Sequence, residues 1–320
     1  MKIFRYITRN TTKQIPCFGI AITDKSFIRF NDICEDGISE KISIIDIITN
    51  PLLNDKITHF LNSSQIDKIK TYKIADVQLL CPLDKISSLR DAYAFRQHVK
   101  TSRKNRGLKM IDEFDNFPVY YYSNHNAVSG PGLIEISKRF LEKLDYELEV
   151  AIIIGKKGIN ITPSEADAYI YGFSIMNDFS SREIQMEEMK LNLGPAKGKD
   201  FATTIGPYIV TKDELSDSII KTKNGNHYDI ELSCSINNIK YSSDNLKNMH
   251  WTFSQIISQI SKGTMLYPGD VIGSGTCGTG CFYEINSSKN ISDHIWLNDG
   301  DKVNILTDKI GNLSNEIKII

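Results

Sequence analysis

The 320-residue sequence predicts an α+β protein with a large, mainly antiparallel β core and a smaller N-terminal domain. Three observations carry this expectation. Beyond about Phe117 the chain is dominated by segments rich in β-branched and aromatic residues: PVYYYS, YELEVAIIIG, AYIYGFSIMND, ATTIGPYIV, YDIELSCSI, GDVIGSG, CFYEI and VNIL. Turn pairs such as Asn224-Gly225, Pro268-Gly269 and Asp299-Gly300 punctuate them. Few helical stretches intervene, around Ile134–Leu144, Ser180–Lys190 and Trp251–Lys262, whereas a doubly wound parallel sheet needs a helix after nearly every strand.

Residues 1–82 read as short strands (FGIAI, SFIRF) with one or two short helices near Ser43–Leu61, forming a small α/β domain. Cys81-Pro82 marks the junction, because proline restricts the residue before it, and residues 83–320 form the larger domain. A helix is expected from Ser87, carrying Leu89, Tyr93, Phe95 and Val99 on an approximately helical spacing. With 38 Lys+Arg against 39 Asp+Glu the net charge is −1, which argues against nucleic acid or an anionic membrane as partner. The opening MKIFRYITRN lacks the apolar run of a signal peptide, and no stretch approaches the roughly 18 apolar residues of a membrane span, so a cytoplasmic protein is expected. Six scattered cysteines (Cys17, Cys34, Cys81, Cys234, Cys277, Cys281) fit buried reduced thiols; CGTGC has no second pair to make a zinc site.

The most informative segment is DYELEVAIIIG, Asp145 to Gly155. Its apolar run demands a buried strand, and alternation puts Glu147 and Glu149 on one face, about 6.6 Å apart along it. Two carboxylates entering a buried strand repel and lose hydration, so they need a positive partner or a proton. YIYGFSIMNDF, equally apolar, ends in Asp178, and a third carboxylate beside the first two completes an all-oxygen site for a hard divalent ion. Beyond Asp178, Ser180 or Ser181 caps a helix on which Arg182 and Gln185 are i, i+3 neighbours able to orient an oxygen-rich anion. Lys199, in the loop GKDFATT, reads on its own as a solvated surface lysine.

Of six histidines His98 stands out. On the expected helix it lies two turns from Asp91, about 10 Å along the axis, so the two line one pocket wall, with Asp91 toward a metal and His98 toward substrate. A histidine base needs a carboxylate to set its tautomer, and Glu284 on the expected strand CFYEI is a candidate. GSGTCG, from Gly273 to Gly278, matches GxGxxG after a strand but is followed by the β-rich TGCFYEIN rather than a helix, so a dinucleotide site is rejected.

These segments, in this order over about residues 83–310, resemble the fumarylacetoacetate hydrolase family. RDAYAFRQH resembles its D-x-Y-x-x-x-x-H signature, implying Asp91 as a metal ligand, Tyr93 as a substrate contact and His98 as general base. PVYYY resembles the segment presenting a substrate-contacting tyrosine, here Tyr121. DYELE and MNDFSSREIQ resemble the metal strand and the most diagnostic motif, implying Glu147, Glu149 and Asp178 on the metal, with Arg182 and Gln185 around the substrate. GKDFATT supplies Lys199, and YPGDVIGSGT followed by CFYE supplies Thr276 as a substrate contact and Glu284 as partner of His98. The resemblance implies a β-sheet roll or sandwich core and a homodimer. It further implies Mg²⁺, Ca²⁺ or Mn²⁺ as cofactor, and cleavage of a C–C bond in a β-diketo acid through a metal-stabilised enolate and a water activated by His98 and Glu284. Decarboxylation of a 2-oxo acid such as oxaloacetate, or dehydration or isomerisation of a keto acid, uses the same site and remains the alternative. The arginine that long-substrate members carry beyond the catalytic histidine has no assignable counterpart in VKTSRKNRG, which leaves the substrate open.

Overall fold

The computed structural model describes residues 1–9, 14–33 and 42–320; Cys34 lies outside them. Its centre is the strand Leu148–Ile154, buried at every position. It runs antiparallel to Ile170–Asp178 on one side and to Val271–Gly273 on the other. Neighbours on both edges and cover on both faces explain why the sequence there is a continuous apolar run. Ile170–Asp178 pairs onward with Thr203–Thr211, and Val271–Gly273 runs parallel to Leu89–Ala92, which pairs with Tyr120–Ser123. Among the described residues this sheet has twelve strands, and it is mixed but mostly antiparallel. A second sheet of five strands includes Glu231–Ile236, Lys302–Thr307 and Gly311–Ile319. Its inward Leu232, Val303 and Leu313 join Val150, Ile152 and Phe173 of the large sheet in one core, the layered α+β arrangement expected.

The N-terminal strands Lys2–Thr8, Cys17–Ala21 and Ser26–Arg29 continue the large sheet, because Lys2–Thr8 pairs with Thr203–Thr211. The helices Ile44–Thr49 and Pro51–Leu61 form where expected: Ser43 and Asp46 make a capping box, and proline opens the second helix. Their Ile44, Ile47 and Ile57 pack with Ile153, Ile205 and Ile209 on the sheet face away from the five-stranded sheet.

Three expected elements differ. The segment after Ser87 is the strand Leu89–Ala92, and the helix begins only at Arg96 and runs to Asn105. Asp91 and His98 therefore do not share a helix face; Asp91 is held by pairing on both strand edges, a non-local effect that outweighs the loose helical spacing. Ile134–Leu144 is not an α-helix: Gly132–Ile136 is a strand beside Gly311–Ile319, with Ile134 and Ile136 buried and Leu133 and Glu135 exposed, and only Lys138–Phe140 makes a 3-10 turn. CFYEI is not a strand but the short helix Phe282–Ile285, so Glu284 is helical. The glycines before it serve close approach. At Gly273 a Cβ would collide with the Asp91 carboxylate and Met176, and Gly275 has φ of +77° against the backbone of Ala92 and Tyr93.

Candidate active site

The strand pairing assembles the acidic residues. Gly273 is in register with both Asp91 and Ala151, while Leu148 and Glu149 face Asn177 and Met176. The start of one central strand thus lies beside the end of its antiparallel neighbour, bringing Glu149 and Glu147 to Asp178 and, across Gly273, to Asp91. The side chains of Asp91, Glu147 and Asp178 offer oxygens all within 4.8 Å of one another. Glu149 is fully buried just behind them and has one carboxylate oxygen with no hydrogen-bond partner.

Two cations answer these carboxylates. Lys199, only 4% exposed and far from a surface lysine, donates to Glu147 and to Asp178 Oδ2, the latter at 2.7 Å. Arg182 sits at the start of the helix Arg182–Met189; its Nη2 donates to Glu147 Oε1 and its Nε to Asp145 Oδ2, each at 2.8 Å. Its Nη1 donates to Gln185 Oε1 at 3.0 Å, which leaves the Gln185 NH₂ as a donor for the cavity. Tyr121 donates its hydroxyl to Asp178, and Thr276 donates to Glu149 Oε1 at 3.3 Å. Asn177 Oδ1 accepts from the Glu147 backbone at 3.0 Å.

The electrostatics separate the carboxylates. Burial pushes Glu147 up, but the charges of Lys199 and Arg182 outweigh it and hold its carboxyl at about 2. Burial, then the charge of Asp178, pushes Asp91 up to about 7. Glu149 is driven well above the usual range by burial and by Asp91, Glu147 and Asp178. Five buried carboxylates (Asp91, Asp145, Glu147, Glu149, Asp178) face two buried cations, and a partnerless oxygen points into the excess. Asp91, Glu147 and Asp178, with the buried Glu149 beside them, make a donor set that could hold a hard divalent cation.

The imbalance has a measurable consequence. Without a divalent cation, Asp91 and Glu149 keep protons that the unfolded chain releases near pH 4. The stability contributed by those protons is complete below the unfolded value and is lost as pH rises through about 7. Metal-free protein should therefore show a Tm that falls between about pH 5 and about pH 8, a slope that saturating Mg²⁺ removes by replacing the protons. Differential scanning fluorimetry with and without EDTA reads both; a flat metal-free profile contradicts the assignment.

Across the cavity, His98 occupies the first turn of Arg96–Asn105. Its Nδ1 donates to Glu284 Oε1 at 2.6 Å, because an ionised carboxylate only accepts, and its Nε2 is left to the Ser102 hydroxyl at 3.4 Å. The Tyr93 ring stands edge-on to the imidazole at 5.7 Å. Cys281 lies beside this pair, and its thiol is pushed up by burial and by Asp145, which keeps it protonated and a poor metal ligand. Tyr93, Tyr121, Gln185 and Thr276 line one cavity of about 340 Å³ together with Asp91, His98, Glu147 and Lys199, and its wall also includes Met186, Met189 and Val119.

Three residues escaped the sequence reading. Asp145, fully buried, accepts from the backbone amides of Phe282 and Tyr283 at 2.7 and 3.0 Å and so binds the helix carrying Glu284 to Arg182. Its place at the head of an alternating acidic triplet was the available signal. Ser102 and Arg106, one and two turns beyond His98, also line the cavity, and helical spacing alone places them on its face. Arg106 Nε donates to the Ser102 carbonyl at 3.2 Å, and no carboxylate pairs with its guanidinium among the described residues.

The mixed two-sheet fold thus carries a buried acidic cluster and, across one cavity from it, a histidine bonded to a glutamate. A sequence model described as fumarylacetoacetate (FAA) hydrolase C-terminal matches residues 88–318, and the chain belongs to that family. It is 27% identical over 252 residues to the oxaloacetate tautomerase YisK of Bacillus subtilis, covering 77% of this chain and 75% of that one. The fold matches, over the whole of both chains, a fumarylacetoacetate hydrolase from Exiguobacterium antarcticum with a TM-score of 0.72 at 24% identity. It also matches a fumarylpyruvate hydrolase from Pseudomonas aeruginosa, solved with Mn²⁺ and pyruvate, with a TM-score of 0.59 at 17% identity, over 76% of this chain and 92% of that one. No helix of the described residues is long and apolar enough to cross a membrane.

Proposed function

We propose that the protein hydrolyses a C–C bond in a β-diketo acid of the acylpyruvate type. The observation that carries this reading is His98, held by Glu284 at 2.6 Å and lining the same cavity as Asp91 and Glu147 of the buried carboxylate cluster. Asp91, Glu147, Glu149 and Asp178 would hold Mg²⁺, Mn²⁺ or Ca²⁺, which when bound supplies positive charge for the oxygens of a 2-oxo acid and for the enolate formed as the bond breaks.

The protein's own groups account for the proton movements. His98 Nε2 takes a proton from water, and the hydroxide equivalent adds to the distal carbonyl carbon. The Gln185 NH₂ and Lys199 donate toward the oxygen on which charge develops. The C–C bond then breaks, the acyl part leaves as a carboxylic acid, and His98 returns its proton to the carbon of the departing enolate. Glu284 stabilises the imidazolium between these steps. Arg182 serves by holding Gln185 and Glu147 in place, and Tyr93 and Thr276 border the ligand. Arg106, with no carboxylate partner of its own, suits the far carboxylate of a dicarboxylic substrate.

A second reading, keto–enol tautomerisation of an oxaloacetate-like acid, is favoured by the likeness to the Bacillus subtilis tautomerase. It uses the same base without attack by water. A panel of acylpyruvates, fumarylpyruvate and oxaloacetate, assayed with added Mg²⁺ or Mn²⁺, separates the two. Carboxylic acid release supports hydrolysis, whereas loss of enol absorbance without cleavage supports tautomerisation. Arg106→Met should raise KM for the dicarboxylic members about tenfold or more and leave monocarboxylic ones unchanged. Full activity in EDTA overturns both readings.

A further inference from the structure

Ser102 lies one helical turn beyond His98 and presents its hydroxyl to the same ring. Its Oγ is 3.4 Å from His98 Nε2, the residue is 6% exposed, and it lines the cavity. A serine inside a helix commonly points to solvent or turns back to the carbonyl four residues earlier. Here His98 Nε2 is the one hydrogen-bond partner of the hydroxyl among the described residues. Glu284 occupies Nδ1, so Nε2 is an acceptor in the neutral ring and a donor in the imidazolium. A hydroxyl can match both states by rotating about a single C–O bond, donating to the first and accepting from the second.

We propose that Ser102 relays protons between His98 Nε2 and the ligand in the cavity. In one direction the Oγ–H bond breaks as its proton passes to Nε2, while the oxygen takes a proton from water or from the ligand. On return, Nε2 gives its proton to Oγ, and Oγ gives its own to the ligand. No charge or atom is left over, and no co-reactant is needed. The relay answers a geometric constraint: the ring is clamped by Glu284 at 2.6 Å and by the edge-on Tyr93, so it cannot swing between the atom that loses a proton and the atom that receives one. Two delivery points, Nε2 and Oγ, remove the need for that motion. The inference rests on the proposed role of His98 as base and holds for hydrolysis and tautomerisation alike.

The test compares Ser102→Ala, the isosteric pair Ser102→Thr and Ser102→Val, and the intact wild type. In the resting protein the ¹⁵N resonance of His98 Nε2 should move in the alanine and valine variants and stay near its wild-type position in the threonine variant. With an active substrate, alanine and valine should lower kcat about tenfold at unchanged KM and Mg²⁺ affinity, with threonine restoring it. The solvent-isotope proton inventory should be bowed in wild type, reporting two protons in flight, and linear in Ser102→Val. An unmoved resonance, a valine variant as active as the threonine one, or a linear wild-type inventory overturns the relay. The resonance is read without substrate, so a wild-type protein inactive on every keto acid overturns the proposed function while an unmoved resonance overturns the relay alone.

Discussion

Replacing His98 with alanine is expected to lower kcat by about a thousandfold while leaving divalent-cation affinity within about twofold of wild type. The reasoning is positional. His98 is on the helix Arg96–Asn105 and bonds to Glu284 and Ser102, whereas the proposed ligands of the cation are on the central strands and bond to Lys199, Arg182 and Tyr121. The two halves meet across a cavity, not through shared side-chain bonds of His98. Mg²⁺ titration calorimetry together with steady-state kinetics checks both parts. A variant that loses the metal along with turnover places His98 in the wrong half of the site.

Glu149→Gln should do the reverse. It preserves the side chain's shape but removes the charge whose oxygen lacks a partner, so cation affinity should fall at least about a hundredfold and activity with it. Its effect on stability separates a metal site from a structural carboxylate. In wild type, cation at a hundred times its Kd adds about 2.7 kcal/mol; in the variant the same addition should add no more than about 0.4 kcal/mol and barely move Tm. Without cation, the variant should be at least as stable as wild type at about pH 8, because it no longer holds a carboxylate among Asp91, Glu147 and Asp178. A destabilised variant that still binds Mg²⁺ normally would remove Glu149 from the ligand set.

Much of the site was readable before any coordinates. The apolar runs of Leu148–Ile154 and Ile170–Asp178, each bordered by acids, marked charges that had to be compensated, and the structure supplies Lys199 and Arg182 as the cations. Lys199 itself was misjudged on local grounds, since nothing in GKDFATT announces that its ammonium will be buried between two carboxylates. The helix assigned to Glu284 was missed for a similar reason. FYEI has ordinary strand composition, but its first amides find an acceptor in Asp145, 137 residues earlier, and that contact turns the chain into a helical turn. Likewise RDAY resembles the start of a helix until the strands Val271–Gly273 and Tyr120–Ser123 pair with its two edges.

The sequence by itself determined which segments must be buried, where turns and capped helices begin, and that acidic side chains would enter the interior at Glu147, Glu149 and Asp178. These are properties of neighbours a few residues apart: alternation, caps and desolvation. Only the tertiary structure decided that the ends of separate strands meet, that Asp91 joins them across Gly273, and that Glu284 reaches His98 over 186 residues of chain. Such contacts depend on strand order and register, which are set by the combined packing of the whole core rather than by any one segment's preference.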